Sequence, residues 1–259
     1  MEITLEQLLK GKATQIGKKS YFSTKEYIEP FIDYMSKFTD TFIYKVKLPK
    51  QITVSSDGDI LNEDITYNRV WIQSILPDEL NFPNHKDAIH LLYALDCKKP
   101  LLKIARSAIN GACLNQCIFS PSFIHTQVLE SGQFPEFTSI KYLMEETSDI
   151  FNNLTKLRNT SVKYNTQNIQ KDLGYWIDRV LKSKLSNEFG SVKLSVSTII
   201  DAYKLLYLDN NSLYYVEPGE DTDMFNIYNA FTEVISHDDK DILNVLEKTL
   251  LLKDILNIA

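Results

Sequence analysis

Residues Ile89–Ala105 read IHLLYALDCKKPLLKIA, and this stretch decides the fold class. Two aliphatic runs, Ile89–Leu95 and Leu101–Ala105, flank the polar segment DCKKP, whose charges and proline are typical of a turn. The pattern therefore predicts a β-hairpin. A helix over Leu101–Cys117 is the competing prediction, because short apolar runs fit either type of element.

The segments before this hairpin extend the β-rich region. Thr41–Leu48 and Thr66–Leu76 both alternate in side-chain character with a period of two, which indicates strands. Cys113–Ser120 is a further predicted strand. Ser23–Phe38 places apolar residues at helical spacing, and Ser23 with Glu26 forms a capping box, so a first helix is expected there.

After Pro135 the spacing of apolar residues becomes helical. Asn165–Leu185 is the clearest case, with Trp176 in its apolar stripe. Leu213–Val216 is expected to form a short strand. The order of helix, strands and helices predicts an α+β protein with an N-terminal helix, a central antiparallel sheet and C-terminal helices. Parts 1–135 and 136–259 are expected to pack as one domain. The other predicted C-terminal helices are Ser139–Leu157, Ser197–Tyr207, Thr222–Ile235 and Asp239–Leu256.

Composition narrows the cellular setting. The chain has 259 residues, is 44% hydrophobic and carries a formal charge of −6. Its three cysteines do not make a disulfide framework, so we expect a reducing compartment, the cytoplasm of a bacterial host. The start lacks the pattern of a secretory signal, and no apolar run reaches the ~18 residues of a membrane-spanning helix.

Two motifs carry a resemblance to a known family. The first runs from Asp96-Cys97-Lys98-Lys99-Pro100, through an aliphatic strand, to Ala112-Cys113-Leu114-Asn115-Gln116-Cys117. The second is Met224-Phe225-Asn226-Ile227-Tyr228-Asn229-Ala230-Phe231-Thr232, followed by an apolar helix. The sequence resembles the phage and plasmid protein family of unknown function nine-three-two. The resemblance implies a phage-type lineage, and the family has no established activity.

Basic residues concentrate in two places. Asn153–Lys184 carries seven bases and two acids, interleaved with Tyr164, Tyr175 and Trp176. Cations neutralise phosphates and aromatic rings stack on unpaired bases, so the pattern favours single-stranded nucleic acid as a ligand. Solvated helix charge and protective edge-strand charge are the alternatives. The candidate nucleic-acid-binding residues are Lys98, Lys99, Lys103, Arg106, Lys156, Arg158, Lys163, Lys171, Arg179 and Lys182.

The cysteines raise the question of a metal site. Cys113 and Cys117 lie four residues apart with His125 nearby, and Cys97 or His90 could complete a zinc set. The spacing is unusual and a second cysteine pair is absent from the sequence, so we expect buried thiols, no metal and no cofactor. Asn115 shares a predicted strand face with both thiols and is expected to serve as a structural polar group.

The sequence contains none of the familiar catalytic motifs, so we expect a protein that is not an enzyme. The leading hypothesis is a phage-type accessory protein that binds single-stranded nucleic acid in replication or recombination. Leu208–Ala259 carries eleven acids against three bases, a net charge of −8. The alternative is therefore a host-takeover or anti-defence effector that binds a host protein through an acidic surface; a virion component is a third possibility. The apolar C-terminal helices are expected to be buried, with a homo-oligomer as the alternative.

Overall fold

Helices and strands occupy mostly separate parts of the chain, which gives an α+β fold as the sequence predicts. The computed structural model describes residues 1–11, 14–16, 19–21, 23–47, 65, 67–79, 84–95, 100–110, 116–117, 124–132, 134–145, 147–163, 166–183, 185–187, 190–237 and 244–258. In these residues the helices are α1 (Leu5–Leu9), α2 (Thr24–Met35), α3 (Ser139–Glu145), α4 (Thr147–Arg158), α5 (Thr166–Lys182), α6 (Val196–Tyr207), α7 (Met224–Ser236) and α8 (Val245–Leu256). The strands are β1 (Glu2–Ile3), β2 (Thr14–Ile16), β3 (Lys19–Tyr21), β4 (Thr41–Val46), β5 (Arg69–Glu79), β6 (His85–Ala94), β7 (Leu101–Asn110), β8 (Gln116–Cys117), β9 (Ile124–Val128), β10 (Ser161–Lys163), β11 (Leu185–Asn187), β12 (Gly190–Val192) and β13 (Asp221–Asp223).

The chain divides into two compact units, each built from three segments. Unit 1 comprises Met1–Asp78, Asp87–Arg106 and Ile124–Glu145. Unit 2 comprises Glu79–Lys86, Ser107–Phe123 and Glu146–Ala259. The change of pattern at residue 135 therefore falls inside unit 1, which includes α3.

The largest sheet has seven strands, and β7 has the most neighbours in it. The strand order is β1-β4-β5-β6-β7-β8, and β9 also pairs with β7. The first half of β7 is antiparallel to β9 over Leu101–Ala105, and its second half is antiparallel to β8 at Ala108 and Ile109. The predicted strand is therefore correct. The competing helix over Leu101–Cys117 is wrong, because the backbone of β7 bonds across strands. Of the predicted strand Cys113–Ser120, only β8 lies within the described residues.

Helix α2 forms as the sequence predicts, and it supplies one side of the core of unit 1. The Ser23 hydroxyl accepts the N–H of Glu26 at 3.3 Å, and the Glu26 carboxylate accepts the N–H of Ser23 at 2.7 Å. This capping box satisfies two backbone donors that the first turn leaves without partners. The buried side of α2 then packs on the sheet, where the rings of Tyr27 and Tyr93 lie 5.1 Å apart.

Helix α7 lies at the centre of unit 2. It packs against α4, α6 and α8, while α5 packs against α6 and α8. Trp176 of α5 is buried and meets Phe231 of α7 edge to face, with ring centroids 5.3 Å apart. The burial predicted for Trp176 is therefore confirmed, whereas Leu181, which the helical spacing also assigns to the apolar stripe of α5, is exposed. The leucines Leu250–Leu252 of α8 are buried too, which confirms the burial expected for the C-terminal helix.

The structure corrects one predicted element in unit 2 and describes only part of another. Leu213–Val216 is not a strand, because its backbone groups bond within a turn and to helices: the N–H of Tyr215 donates to the carbonyl of Ser212 at 3.2 Å, the N–H of Val216 donates to the carbonyl of Leu206 at 2.9 Å, and the Asn226 amide donates to the carbonyl of Tyr214 at 2.8 Å. The strand in this region is β13 instead, which pairs with β10. The last helix begins at Val245, and its predicted start at Asp239 lies outside the described residues.

Candidate nucleic-acid interface

The structure divides the predicted nucleic-acid-binding residues into three groups. Lys98 and Lys99 lie outside the described residues, as does Asn115. Lys103 and Arg106 belong to unit 1. The remaining six all lie in unit 2, at the end of α4, on β10 and along α5: Lys156, Arg158, Lys163, Lys171, Arg179 and Lys182.

Arg106 is an interior residue, so its predicted role in phosphate binding is wrong. Its side chain is 1% exposed. The guanidinium forms a two-pronged ion pair with Asp87 of β6, with one nitrogen–oxygen distance of 3.0 Å, and also donates to the carbonyl of Leu143 in α3. Planar guanidinium groups suit such paired contacts, and a buried charge needs them. Arg106 therefore ties α3 to the sheet inside unit 1.

Lys103 is also buried, at 1% exposure, and the phosphate contact predicted for it is excluded as well. It stands on β7 directly opposite Thr126 of β9. Since β7 pairs with strands on both sides, it is not an edge strand. The alternative role of protective edge charge is therefore also wrong for Lys103.

Helix α5 presents a basic, partly aromatic side to solvent. Lys171, Tyr175 and Lys182 are exposed, while Trp176 and Val180 on the opposite side are buried. Spacings of four and seven residues place the three exposed side chains in one stripe along the helix. The phase predicted from the apolar residues is correct at Trp176 and Val180 but wrong at Leu181, which is exposed.

Arg179 is fixed beside this stripe by its neighbours. Its Nε donates to the hydroxyl of Tyr175 at 2.8 Å, and its guanidinium lies 5.1 Å from the centre of that ring. The same group reaches the side-chain oxygen of Asn257 at 3.2 Å, where α8 ends. These contacts hold the exposed Tyr175 ring in one place. Lys182 is paired with Asp178 at 2.7 Å, an exposed contact that contributes little to stability.

The cations before α5 have structural contacts as well as exposure. Lys156 and Arg158 are exposed in the last turn of α4, where positive charge is favourable at the helix C-terminus. The guanidinium of Arg158 lies 5.7 Å from the ring centre of Phe225. Lys163 stands opposite Asp221 in the pairing of β10 with β13, so an acid lies next to it. Helix α5 carries one acid besides Asp178, namely Asp172, and burial raises the pKa of the Asp172 carboxyl group.

A second polar group lies inside unit 1, and the sequence prediction missed it. The indole N–H of Trp71 donates to Nδ1 of His90 at 3.2 Å, and the ammonium of Lys45 lies 5.5 Å from the centre of the indole. Burial and the charge of Lys45 lower the pKa of His90 to about 3. The buried imidazole of His90 is therefore neutral at physiological pH. Trp71 lies in the alternating segment Thr66–Leu76, and this alternation is the sequence signal that could have identified the face it shares with Gln73.

The metal prediction concerned Cys97, Cys113, Cys117, His125 and His90. Cys97 and Cys113 lie outside the described residues, and Nδ1 of His90 accepts the indole N–H of Trp71. In the part of the chain that the structure describes, no three His, Cys, Asp or Glu side chains are grouped as metal ligands would be. In the acidic segment before α7, Asp223 caps that helix, since its carboxylate accepts the N–H of Asn226 at 2.7 Å.

The chain matches no protein-family model, no curated protein and no solved structure, so the resemblance to family nine-three-two stays a prediction. Within the described ranges, none of the helices combines the length and the apolar character needed to cross a bilayer. The candidate site therefore depends on its own chemistry: exposed cations and a fixed aromatic ring on one side of α5.

Proposed function

We propose that the protein binds single-stranded nucleic acid through unit 2, without catalysing a reaction. The surface involved, called the basic surface below, consists of Lys156, Arg158, Lys163, Lys171, Tyr175, Arg179 and Lys182. The observation that carries the proposal is the exposed side of α5, where cations and an aromatic ring share one helical stripe. A role in phage replication or recombination rests on the family resemblance.

The chemistry of the stripe fits an unpaired strand. Lysine ammonium groups neutralise phosphates and release counterions, which supplies most of the binding free energy in sequence-independent complexes. Tyr175 is 42% exposed, so part of its ring is open to a stacked base. Because Arg179 already fixes this ring, little side-chain freedom would be lost on binding. The net charge of −6 confines such binding to this local surface.

Oligonucleotide titration at several salt concentrations tests the proposal. Each phosphate contact to a single strand contributes about −0.7 to the slope of log K against log salt concentration. Lys171→Ala with Lys182→Ala should therefore make the slope shallower by about 1.4. The matched control is Lys10→Ala with Lys25→Ala, two exposed lysines of unit 1 that pair with acids four residues away, as Lys182 does. An equal loss in the control, or no binding at low salt, would contradict the proposal.

Two further variants separate charge from stacking. Tyr175→Ala removes the ring and should weaken binding by roughly 1–3 kcal/mol while leaving the salt slope unchanged. Arg179→Lys keeps the charge but loses the planar group that holds the ring, so affinity should fall by a smaller amount at constant slope. If Tyr175→Ala also changed the salt slope, the ring would act by positioning the cations and not by stacking on a base.

A protein-binding effector is the second candidate, favoured by one exposed acidic segment of unit 2. Glu217, Glu220 and Asp221 are all exposed around the turn at Gly219. Like charges in one exposed segment favour a basic partner. If oligonucleotides do not bind, a host protein recovered by the wild type but not by Glu217→Gln with Glu220→Gln would support this function.

A further inference from the structure

Unit 2 exposes several apolar side chains that the basic surface does not explain. Helix α6 and the segment after it leave Ile200, Leu208 and Leu213 exposed, with Leu208 at 66% and Leu213 at 83%. Next to Leu208 lies an open pocket of about 500 Å³, which is lined by Asp201, Lys204, Leu205, Leu208, Asp209 and Val234. Apolar side chains at this exposure are unfavourable in water and are commonly covered by a partner.

The charges around the pocket indicate the kind of partner. Two acids, Asp201 and Asp209, line it against one base, Lys204, which pairs with Asp201 at 2.9 Å. An apolar pocket with a surplus of acid suits a protruding apolar side chain that has basic neighbours. A phosphate backbone would be repelled from it.

The same unit presents a surface of that description on α5. Leu181 is 69% exposed and is followed directly by Lys182. Gly174 lies seven residues earlier, two turns along the same side of the helix, and the space where its side chain would stand is open. A second helix can therefore approach α5 closely at Gly174. Lys171 and Lys182 flank this contact, while of the two acids of α5 Asp178 is exposed and Asp172 is half-buried.

We propose that the protein self-associates by placing α5 of one copy on α6 of another. Leu181 of the first copy enters the pocket beside Leu208 of the second. Lys182 then lies near Asp201 and Asp209 of that second copy. Because α5 and α6 are neighbours in unit 2, a two-fold axis can form the contact twice and close a dimer. Each contact consists of one helix on one helix, so we expect a small interface and an association that is weak and depends on concentration.

The apolar contact between Leu181 and Leu208 does not depend on nucleic-acid binding, because neither residue belongs to the basic surface. The two proposals share only Lys171 and Lys182. Oligonucleotide and a second copy should therefore compete for α5. Self-association is measured without nucleic acid, so failure of one proposal can be told apart from failure of the other.

Sedimentation velocity from about 5 to about 500 µM tests the apolar contact over the range expected for a small interface. The wild type should rise above the monomer mass of 29.9 kDa as concentration increases. Leu181→Glu and Leu208→Glu should each weaken the association at least tenfold. Leu213→Glu is the matched control, because Leu213 is equally apolar and exposed but does not line the pocket. A strictly monomeric wild type at the highest concentration overturns the proposal.

Charge reversal tests the pairing of the two helices. Lys171→Glu with Lys182→Glu makes both contact surfaces acidic, and Asp201→Lys with Asp209→Lys makes both basic. Each variant alone should be monomeric, because like charges then meet across the interface. An equal mixture of the two should associate again, since every contact regains opposite charges. Melting curves confirm that both variants are folded. Association that persists in both variants alone, or a mixture that stays monomeric, refutes the proposed contact.

Discussion

Removing Asp87 should destabilise unit 1 strongly, because it leaves the charge of Arg106 buried without its partner. Both side chains of this pair are almost fully buried, and the guanidinium directs two contacts to Asp87. Breaking a buried ion pair from one side costs about 3–5 kcal/mol, which is a large part of the total stability of a domain. Asp87→Ala should therefore lower the free energy of unfolding by that amount.

The double variant Asp87→Leu with Arg106→Met separates the charge from the packing. Replacing a buried ion pair by apolar side chains of similar volume is often close to neutral. Here the carbonyl of Leu143 also loses its donor, which costs roughly 1–3 kcal/mol. The double variant should therefore be more stable than Asp87→Ala, although less stable than the wild type.

Urea unfolding followed by circular dichroism measures these differences. Glu29→Ala is the matched control, because Glu29 also belongs to unit 1 and pairs with Lys25 at 3.3 Å, but in solvent. Its effect should stay below about 1 kcal/mol. If Asp87→Ala were as mild as Glu29→Ala, Arg106 would have to reach water, and the interior position of this pair would be refuted.

Three other predictions concern single sites. Trp176→Ala should lower the free energy of unfolding in urea by roughly 3–5 kcal/mol, because it removes a buried ring that packs against Phe231. An unchanged urea midpoint would mean that the phase of α5 is wrong. His90 has a pKa of about 3 in the folded protein and about 6.5 in the unfolded chain, so the unfolded chain takes up the proton first as the pH is lowered. The free energy of unfolding should therefore fall by about 1.4 kcal/mol per pH unit as the pH drops from 6.5 towards 3. His90→Phe should remove this slope, whereas exposed His125→Asn should keep it. Asp223→Ala should cost about 1 kcal/mol in thermal unfolding through loss of the α7 cap, and no change in melting temperature would show that the cap is dispensable.

Local patterns predicted the elements whose stabilising contacts are themselves local. The capping box of α2 spans three residues, and the apolar stripe of α5 repeats every turn, so both could be found from the sequence. The strand predicted over Leu213–Val216 is wrong because the contacts of this segment are not local. Its backbone bonds to the carbonyl of Leu206 and to the side chain of Asn226, contacts that the local sequence cannot reveal.

The candidate site, too, could be predicted from the sequence only where its geometry depends on local spacing. The exposed stripe of α5 follows from the helical period, and the structure places Lys171 and Lys182 where that period predicts. The burial of Arg106 depends on Asp87, nineteen residues away, and on a carbonyl of α3, thirty-seven residues away. A basic residue in an aliphatic strand therefore shows its role only when its partner is located in three dimensions.

The basic residues of this chain differ in function because they differ in what surrounds them. Arg106 is buried and fully engaged by an acid, so its charge serves the fold and is lost to any ligand. Arg179 is half-buried against Tyr175 and Asn257, which makes it a rigid support for an exposed ring. Lys171 and Lys182 extend into solvent, where each neutralised phosphate or carboxylate releases bound ions or water. Affinity for an anionic partner should therefore come from these two lysines, while Tyr175 and Arg179 determine how that partner is positioned.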